Sequence, residues 1–186
     1  MKKTFLKMTA LVLVTALLMP GCARKDTDTK DNDKDKAGGQ NRTYTIGVVV
    51  KNVGNPFYEA CKKGFQEAFD EYGDKMIFQG PATATAEGQI EIIENMIAQK
   101  VDVIAIAAND ADAVAPALKK AMNQGIKVVS WDSAVASSGR NVHVNQADAK
   151  LIGQLQVQAI AEMMNYEGQF AILSAGATMV NQNLWI

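Results

Sequence analysis

From Tyr44 onward, short apolar runs alternate with stretches in which apolar residues recur every three or four positions. Five runs have the length and continuous apolar character of strands buried on both faces: YTIGVVV, KMIFQ, DVIAIAA, IKVVSW and QFAILSA. The intervening stretches carry the stripe of an amphipathic helix, for example at Ile90, Ile93 and Ile97. This alternation predicts an α/β fold in which an open, mostly parallel sheet is flanked by helices.

Polar side chains follow each predicted strand. Right-handed crossovers place the carboxyl ends of parallel strands at one edge of a sheet, and ligands bind outside that edge. The residues expected there are amides, charged groups and aromatics: Lys51, Asn52, Asn55, Phe57, Asn109, Asp110, Trp131, Asp132, Ser133, Asn181, Gln182 and Asn183. Amides and carboxylates bind vicinal hydroxyls, and aromatic faces cover the C–H surface of a sugar. Any single asparagine or aspartate could instead cap a helix, but recurrence at five strand ends favours a binding site.

The composition argues against several classes of function. The 186 residues carry 19 basic and 20 acidic side chains, so no basic field indicates a nucleic-acid partner. Two cysteines and one histidine are too few for a disulfide framework or a structural zinc site. The motifs GxGxxG, GxxxxGKS/T, GxSxG and HExxH do not occur. We therefore expect a protein that is not an enzyme and that uses no metal or cofactor.

The N-terminus has the order of an export signal. MKKTFLK is basic, MTALVLVTALLM is apolar but short for a membrane span, and the run ends in LLMPGC. This order resembles a bacterial lipobox, with Met19 and Pro20 at positions where leucine and a small residue are more usual. It predicts a signal peptide over residues 1–21 and lipidation of Cys22. The alternative is an ordinary secretory signal with a chance cysteine, and in either case the protein leaves the cytoplasm.

Residues 22–43 alternate charges with small polar side chains and lack apolar residues to bury, which predicts a disordered tether. The spaced aspartates of DTDTKDNDKDK suggest a calcium loop. Counted from Asp31, however, the sixth position is Lys36 and the twelfth is Arg42, where such a loop has glycine and glutamate. The tether therefore carries no predicted metal site.

Several stretches together resemble a known family: KNVGNPFYEACKKGFQEA, QGPATATAEGQIEIIENMIAQKVD, ANDADAVAPALKKAMNQGIKVVSWDS, VNQADA and NQNLW. They are similar to the sugar-binding proteins of ABC importers, which have type I periplasmic-binding-protein folds, and in particular to rhamnose-binding proteins and autoinducer-2 receptors. The resemblance implies two Rossmann-like lobes that close on a monosaccharide and deliver it to permease subunits. It also implies a monomer that carries out no chemistry and has no nucleic-acid partner.

The resemblance also implies ligand contacts in the first lobe. Lys51 matches a lysine that follows the first strand in the autoinducer-2 receptors. Asn55 and Phe57 match the asparagine and first aromatic of the NPF motif in pentose and hexose binders. Asp132, in WDS, matches an aspartate that both groups use.

Two further contacts are implied in the second lobe. Asn181 and Gln182 match an acidic or amide residue and a glutamine near the start of a helix. The autoinducer-2 receptors have aspartate at the first position, so Asn181 favours a rhamnose-like ligand. Asp110 and Asn109 are further candidates, although both could simply cap the following helix.

The expected organisation is a first lobe over residues 44–132, a crossover over 133–145 and the start of a second lobe over 146–186. Such proteins cross between lobes three times, so we expect this chain to be truncated within the second lobe. An alternative function is a receptor, for a sugar or autoinducer-2, that feeds a chemoreceptor or sensor kinase. A LacI-type repressor shares the fold, but the export signal and the lack of an N-terminal helix-turn-helix count against it.

Overall fold

A computed structural model of the protein describes residues 42–186. The predicted signal peptide, the lipidation site at Cys22 and nearly all of the predicted tether lie outside the described residues. In the described part, no helix is long and apolar enough to span a membrane.

The described residues form one sheet of five parallel strands, in the spatial order β2-β1-β3-β4-β5. An open parallel sheet with flanking helices confirms the predicted fold class. The switch in strand order beside β1 is where such sheets open a crevice at their carboxyl ends. The strands are β1 (Thr45–Val49), β2 (Lys75–Gln79), β3 (Val103–Ile106), β4 (Lys127–Trp131) and β5 (Val142–Val144).

Within residues 42–186, five α-helices and one 3₁₀ turn at Ser137–Gly139 connect or follow the strands. Local sequence signals set several ends: Asn55 and Thr85 accept hydrogen bonds from the first turns of α1 and α2, and Gly73 ends α1 in the left-handed conformation at φ 74°. The helices are α1 (Pro56–Tyr72), α2 (Ala86–Ala98), α3 (Ala115–Asn123), α4 (Ala149–Met163) and α5 (Val180–Trp185).

Alternate strand residues divide the core between the two faces of the sheet. In β3, Ile104 and Ile106 pack with α2 and α3, whereas Ala105 faces α1. The α1 face also holds Trp131 and Tyr58, whose rings meet edge-to-face at 5.8 Å. Both faces are covered, which explains why the strands read as continuous apolar runs.

The fifth strand differs from the prediction. QFAILSA was expected to be a strand, but the structure assigns no strand to residues 169–175, and Leu173 is 98% exposed. Apolar character alone does not make a strand, because the backbone also needs a neighbouring strand to pair with. The fifth strand of the sheet is β5, where Val142 lies beside Val129 of β4. The sheet thus extends into the 133–145 segment that was expected to be a crossover.

Helices α4 and α5 pack closely against one another at a glycine. A Cβ atom at Gly153 would collide with the backbone carbonyl of Trp185. Most apolar residues of α4, including Leu155, remain exposed. The contact at Gly153 is therefore an important constraint on where α5 lies.

Replacing Gly153 with alanine should displace α5, because the new methyl group meets backbone that cannot rotate away. We expect a loss of about 1–3 kcal/mol in the free energy of unfolding, measured by urea denaturation. Gly64→Ala is the matched control, since Gly64 lies in α1 with open space around its Cβ position. That control should gain about 0.5–1 kcal/mol from its better helix propensity. An equal gain in Gly153→Ala would contradict the close packing.

Candidate functional site

A cleft of about 490 Å³ opens at the carboxyl edge of the sheet. Its walls come from the loops after β1 and β4, the start of α1, and α5. Six of the seven predicted ligand residues line this cleft: Lys51, Asn55, Phe57, Asp132, Asn181 and Gln182. The structure therefore brings together residues that are up to 131 positions apart in the chain.

Lys51 contributes a buried ammonium group. Only 8% of the residue is exposed, and its Nζ donates a hydrogen bond of 2.9 Å to Oδ1 of Asn181. Burial lowers the pKa of Lys51 from its ordinary value, and the negative charge of Asp132 partly opposes this shift. The amine is thus a donor that has little contact with water.

Asp132 lies at the end of β4 with its backbone in the left-handed region, at φ 54°. This conformation is uncommon for a residue with a side chain, and such strain is often found at binding sites. Tyr58 donates its hydroxyl to Oδ2 at 2.9 Å, and Gln146 donates its amide to Oδ1 at 3.1 Å. The carboxylate is consequently held from two sides at the mouth of the cleft.

The Tyr58 hydroxyl remains a donor at any physiological pH. Burial and the adjacent carboxylate of Asp132 raise the pKa of Tyr58 far above its ordinary value. The ring packs edge-to-face against both Trp131 and Phe57. Tyr58 therefore anchors Asp132 to the apolar core beneath α1.

The α5 side of the cleft presents two amides. Asn181 accepts from Lys51, and its Nδ2 approaches Oδ1 of Asp132 at 3.4 Å. Gln182 accepts hydrogen bonds through Oε1 from the Ser174 hydroxyl at 2.9 Å and the Ala175 N–H at 2.7 Å. Those two bonds fix the orientation of the glutamine amide.

The NPF motif supplies a cap and an apolar surface. The Asn55 side-chain oxygen accepts from the Phe57 N–H at 3.0 Å, so it caps α1 while it lines the cleft. Asn55 is therefore both a helix cap and a residue of the cleft lining. Phe57 is half exposed and offers its ring to the cleft.

Asp110 does not line this cleft. Its Oδ1 accepts from the N–H groups of Asp112 and Ala113, both at 3.0 Å, and so stabilises the turn that leads into α3. These contacts fit the alternative interpretation of Asp110, as a local cap. The neighbouring Asn109 is buried and bonds to backbone groups.

Tyr58, Gln146 and Trp185 line the cleft but were absent from the predicted set. Tyr58 directly follows the NPF motif, so a second aromatic at the start of the helix was an available signal. Gln146 and Trp185 lie within VNQADA and NQNLW, two of the stretches that carry the family resemblance, so those motifs were an available signal for both residues.

The charges of the cleft balance: it has one lysine and one aspartate, and the other polar lining groups are neutral amides, hydroxyls and an indole. Within residues 42–186, no group of three or more histidine, cysteine, aspartate or glutamate side chains is placed to hold a metal ion. The arrangement suits a neutral ligand with several hydroxyl groups.

The sequence profile of the periplasmic binding protein domain matches residues 46–186. The chain belongs to the periplasmic binding protein domain family. Among solved structures, an ABC transporter solute-binding protein from Clostridium phytofermentas with bound L-rhamnose is 46% identical, with a TM-score of 0.75 over 77% of this chain and 45% of that one. LsrB from Clostridium saccharobutylicum in complex with AI-2 is 32% identical, with a TM-score of 0.68 over 76% of this chain and 46% of that one.

Among curated proteins, the ribose import binding protein RbsB of Bacillus subtilis is 27% identical over 140 residues, which is 75% of this chain and 45% of that protein. The chain thus spans about half the length of the relatives that it matches. The family assignment confirms the resemblance drawn from the sequence motifs.

The burial of Lys51 should make the free energy of unfolding depend on pH. Because the folded protein lowers the pKa of Lys51, the unfolded chain holds this proton more tightly. Unfolding free energy should therefore rise with pH between the lowered value and the ordinary value of 10.5. Lys51→Met should be more stable than the wild type at pH 7, and the difference should shrink as the pH approaches 10. Urea denaturation of both proteins at several pH values gives the comparison, and a constant difference would contradict the burial of a charged amine.

Proposed function

We propose that the protein is an extracytoplasmic solute-binding protein that captures a neutral, rhamnose-like monosaccharide and delivers it to an ABC importer. The observation that carries the proposal is the cleft at the carboxyl edge, in which the Asn181 amide bridges the buried Lys51 and the partly buried Asp132 beside an exposed aromatic ring. In this role the ligand undergoes no chemical change.

The charge balance favours a neutral ligand. A carboxylate or phosphate ligand would leave a surplus negative charge beside Asp132, because Lys51 is the one cationic side chain that residues 42–186 place in the cleft lining. A sugar hydroxyl both donates and accepts, so it can bridge the ammonium of Lys51 and the carboxylate of Asp132. The half-exposed Phe57 ring is suited to cover the apolar face of the same sugar.

Asn181 supports the choice of a rhamnose-like sugar over autoinducer-2. Its oxygen accepts from Lys51 and its nitrogen faces Asp132, so the amide satisfies a donor on one side and an acceptor on the other. An aspartate there would place a second carboxylate beside Asp132 and remove the donor. The higher identity to the L-rhamnose-bound protein than to the AI-2-bound one agrees with this choice.

The binding test needs both walls of the cleft. The chain is joined at Ile186 to the unmatched remainder of the L-rhamnose-bound relative, and this fusion is called the extended chain. We expect L-rhamnose to stabilise the extended chain in a thermal-shift screen of monosaccharides and to bind more tightly than autoinducer-2 in calorimetry. Tighter binding of autoinducer-2 would favour the receptor function instead.

Removing the carboxylate of Asp132 should weaken L-rhamnose binding by about ten- to a hundredfold, because a charge-assisted hydrogen bond contributes about 1.5–3 kcal/mol. Asp132→Ala in the extended chain measures this loss by calorimetry. Asp110→Ala is the matched control, since it removes a carboxylate from the same edge of the sheet without touching the cleft. An unchanged dissociation constant in Asp132→Ala would remove Asp132 from the binding site.

We further propose that Cys22 is the lipidated first residue of the mature protein and holds it at the cell membrane. The support is the order of basic, apolar and small residues before the cysteine and the polar tether after it. Cys22→Ser should move the protein from the membrane to the soluble fraction and change its electrophoretic mobility. If the variant stays with the membrane at the same mobility, the proposed anchor is wrong.

A further inference from the structure

Two fully buried amide side chains lie directly beneath the cleft. Gln89, on α2, has no exposed surface, and Asn109, just after β3, is 2% exposed. Between them they form a continuous hydrogen-bonded group, because the Asn109 N–H donates to Oε1 of Gln89 at 2.8 Å. Neither residue lines the cleft, so direct ligand contact does not explain them.

Side-chain amides link β1 and β3 at the point where the backbone pairing of these strands ends. Strands β1 and β3 pair from Ile46 and Val103 up to Val49 and Ile106. Beyond that point, Gln89 Nε2 donates to the carbonyls of Val50 at 3.1 Å and Ala107 at 2.8 Å. One side chain therefore ties the two diverging strands together at the edge that carries the site.

Asn109 continues this link to the buried lysine. Its Nδ2 donates to the backbone carbonyl of Lys51 at 2.9 Å and to that of Thr85, the cap of α2, at 3.1 Å. The amide orientation is therefore determined by two acceptors. Its Oδ1 is left without a hydrogen-bond partner among residues 42–186. Burying an unpaired acceptor is unfavourable, whereas the two hydrogen bonds that Nδ2 donates restrain the carbonyls of Lys51 and Thr85.

We propose that Gln89 and Asn109 are positioning residues for the binding cleft. They hold the backbone of Val50 and Lys51 so that the lysine side chain stays buried and directed at Asn181. Lys51 follows the last paired residue of β1 by two positions, and without the amides its backbone would lose the restraint on its carbonyl. The consequence for sugar affinity rests on the proposed function, whereas the position of Lys51 does not.

The test measures the titration of Lys51 in the extended chain without ligand. NMR follows the lysine side-chain signals from pH 7 to 11, and Lys51→Arg identifies the Lys51 signal by its loss. The wild-type Lys51 should titrate below its ordinary value of 10.5, since burial lowers its pKa. In Asn109→Leu and Gln89→Met, which keep the side-chain size but remove the donors, the Lys51 midpoint should move up toward 10.5.

Leu118→Ala is the matched control for general destabilisation. Leu118 is fully buried in α3 and packs in the core on the α2–α3 face, away from the cleft. Its loss should lower the free energy of unfolding and leave the Lys51 midpoint unchanged. If the two amide variants also leave that midpoint unchanged while remaining folded, the positioning role is overturned.

A variant that fails to fold does not end the test. In the wild type, the side-chain amide protons of Gln89 and Asn109 should exchange slowly with solvent, because both side chains are buried and each donates to two backbone carbonyls. Rapid exchange of both would overturn the proposal. L-rhamnose affinity is then measured in the folded variants, and a loss of about tenfold is expected from one misplaced hydrogen-bond donor. If the amide variants move the Lys51 midpoint but the wild-type extended chain binds no sugar, the proposed function fails and the positioning role stands.

Discussion

A buried ammonium group at the end of the first strand is the constraint on which the carboxyl edge of this protein depends. An ammonium removed from water must be compensated nearby, or its pKa falls until it loses its proton. Here the compensation comes from Asn181 on α5, which accepts the hydrogen bond, and from the charge of Asp132 after β4. Elements far apart in the chain are thereby drawn to one place, and the cleft forms between them.

The rest of the edge maintains this arrangement at the expense of stability. Asp132 takes a strained left-handed backbone, Lys51 has a lowered pKa, and Asn109 leaves an acceptor unsatisfied. Each feature is unfavourable for folding. Lys51 and Asp132 also line the cleft, where their polar groups remain available for further hydrogen bonds, whereas Asn109 lies outside the lining.

The aromatic residues connect the cleft to the core. Trp131 and Tyr58 pack beneath α1, and the Tyr58 hydroxyl reaches Asp132. The same ring therefore contributes apolar packing at one end and orientation of a carboxylate at the other. Binding groups that are built on buried side chains in this way are held more rigidly than groups on a free loop.

The periodicity of the elements and the alternation of strands with helices were accessible from the sequence. Continuous apolar runs and helical stripes identified β1 to β4 and the helices, and the geometry of parallel sheets predicted that Lys51, Asn55 and Asp132 would meet. Local signals do this well because a strand, a helix or a cap depends on neighbouring residues. They were insufficient for QFAILSA, whose apolar residues could not show whether a partner strand was available to them.

Only the tertiary structure decided how the polar residues of the edge divide their roles. Asp110 and Asn109 are adjacent and chemically similar, yet one stabilises an exposed turn and the other is buried under the cleft. Gln89 lies among the apolar residues of α2, so nothing in the sequence indicated that it has a separate role. In the structure its side chain links the backbone at the ends of β1 and β3. The sequence by itself determined which chemical groups reach the carboxyl edge. Which of them line the cleft and which bond to the backbone depends on distances between elements, because a hydrogen bond requires two groups within about 3 Å and the chain order does not encode that separation.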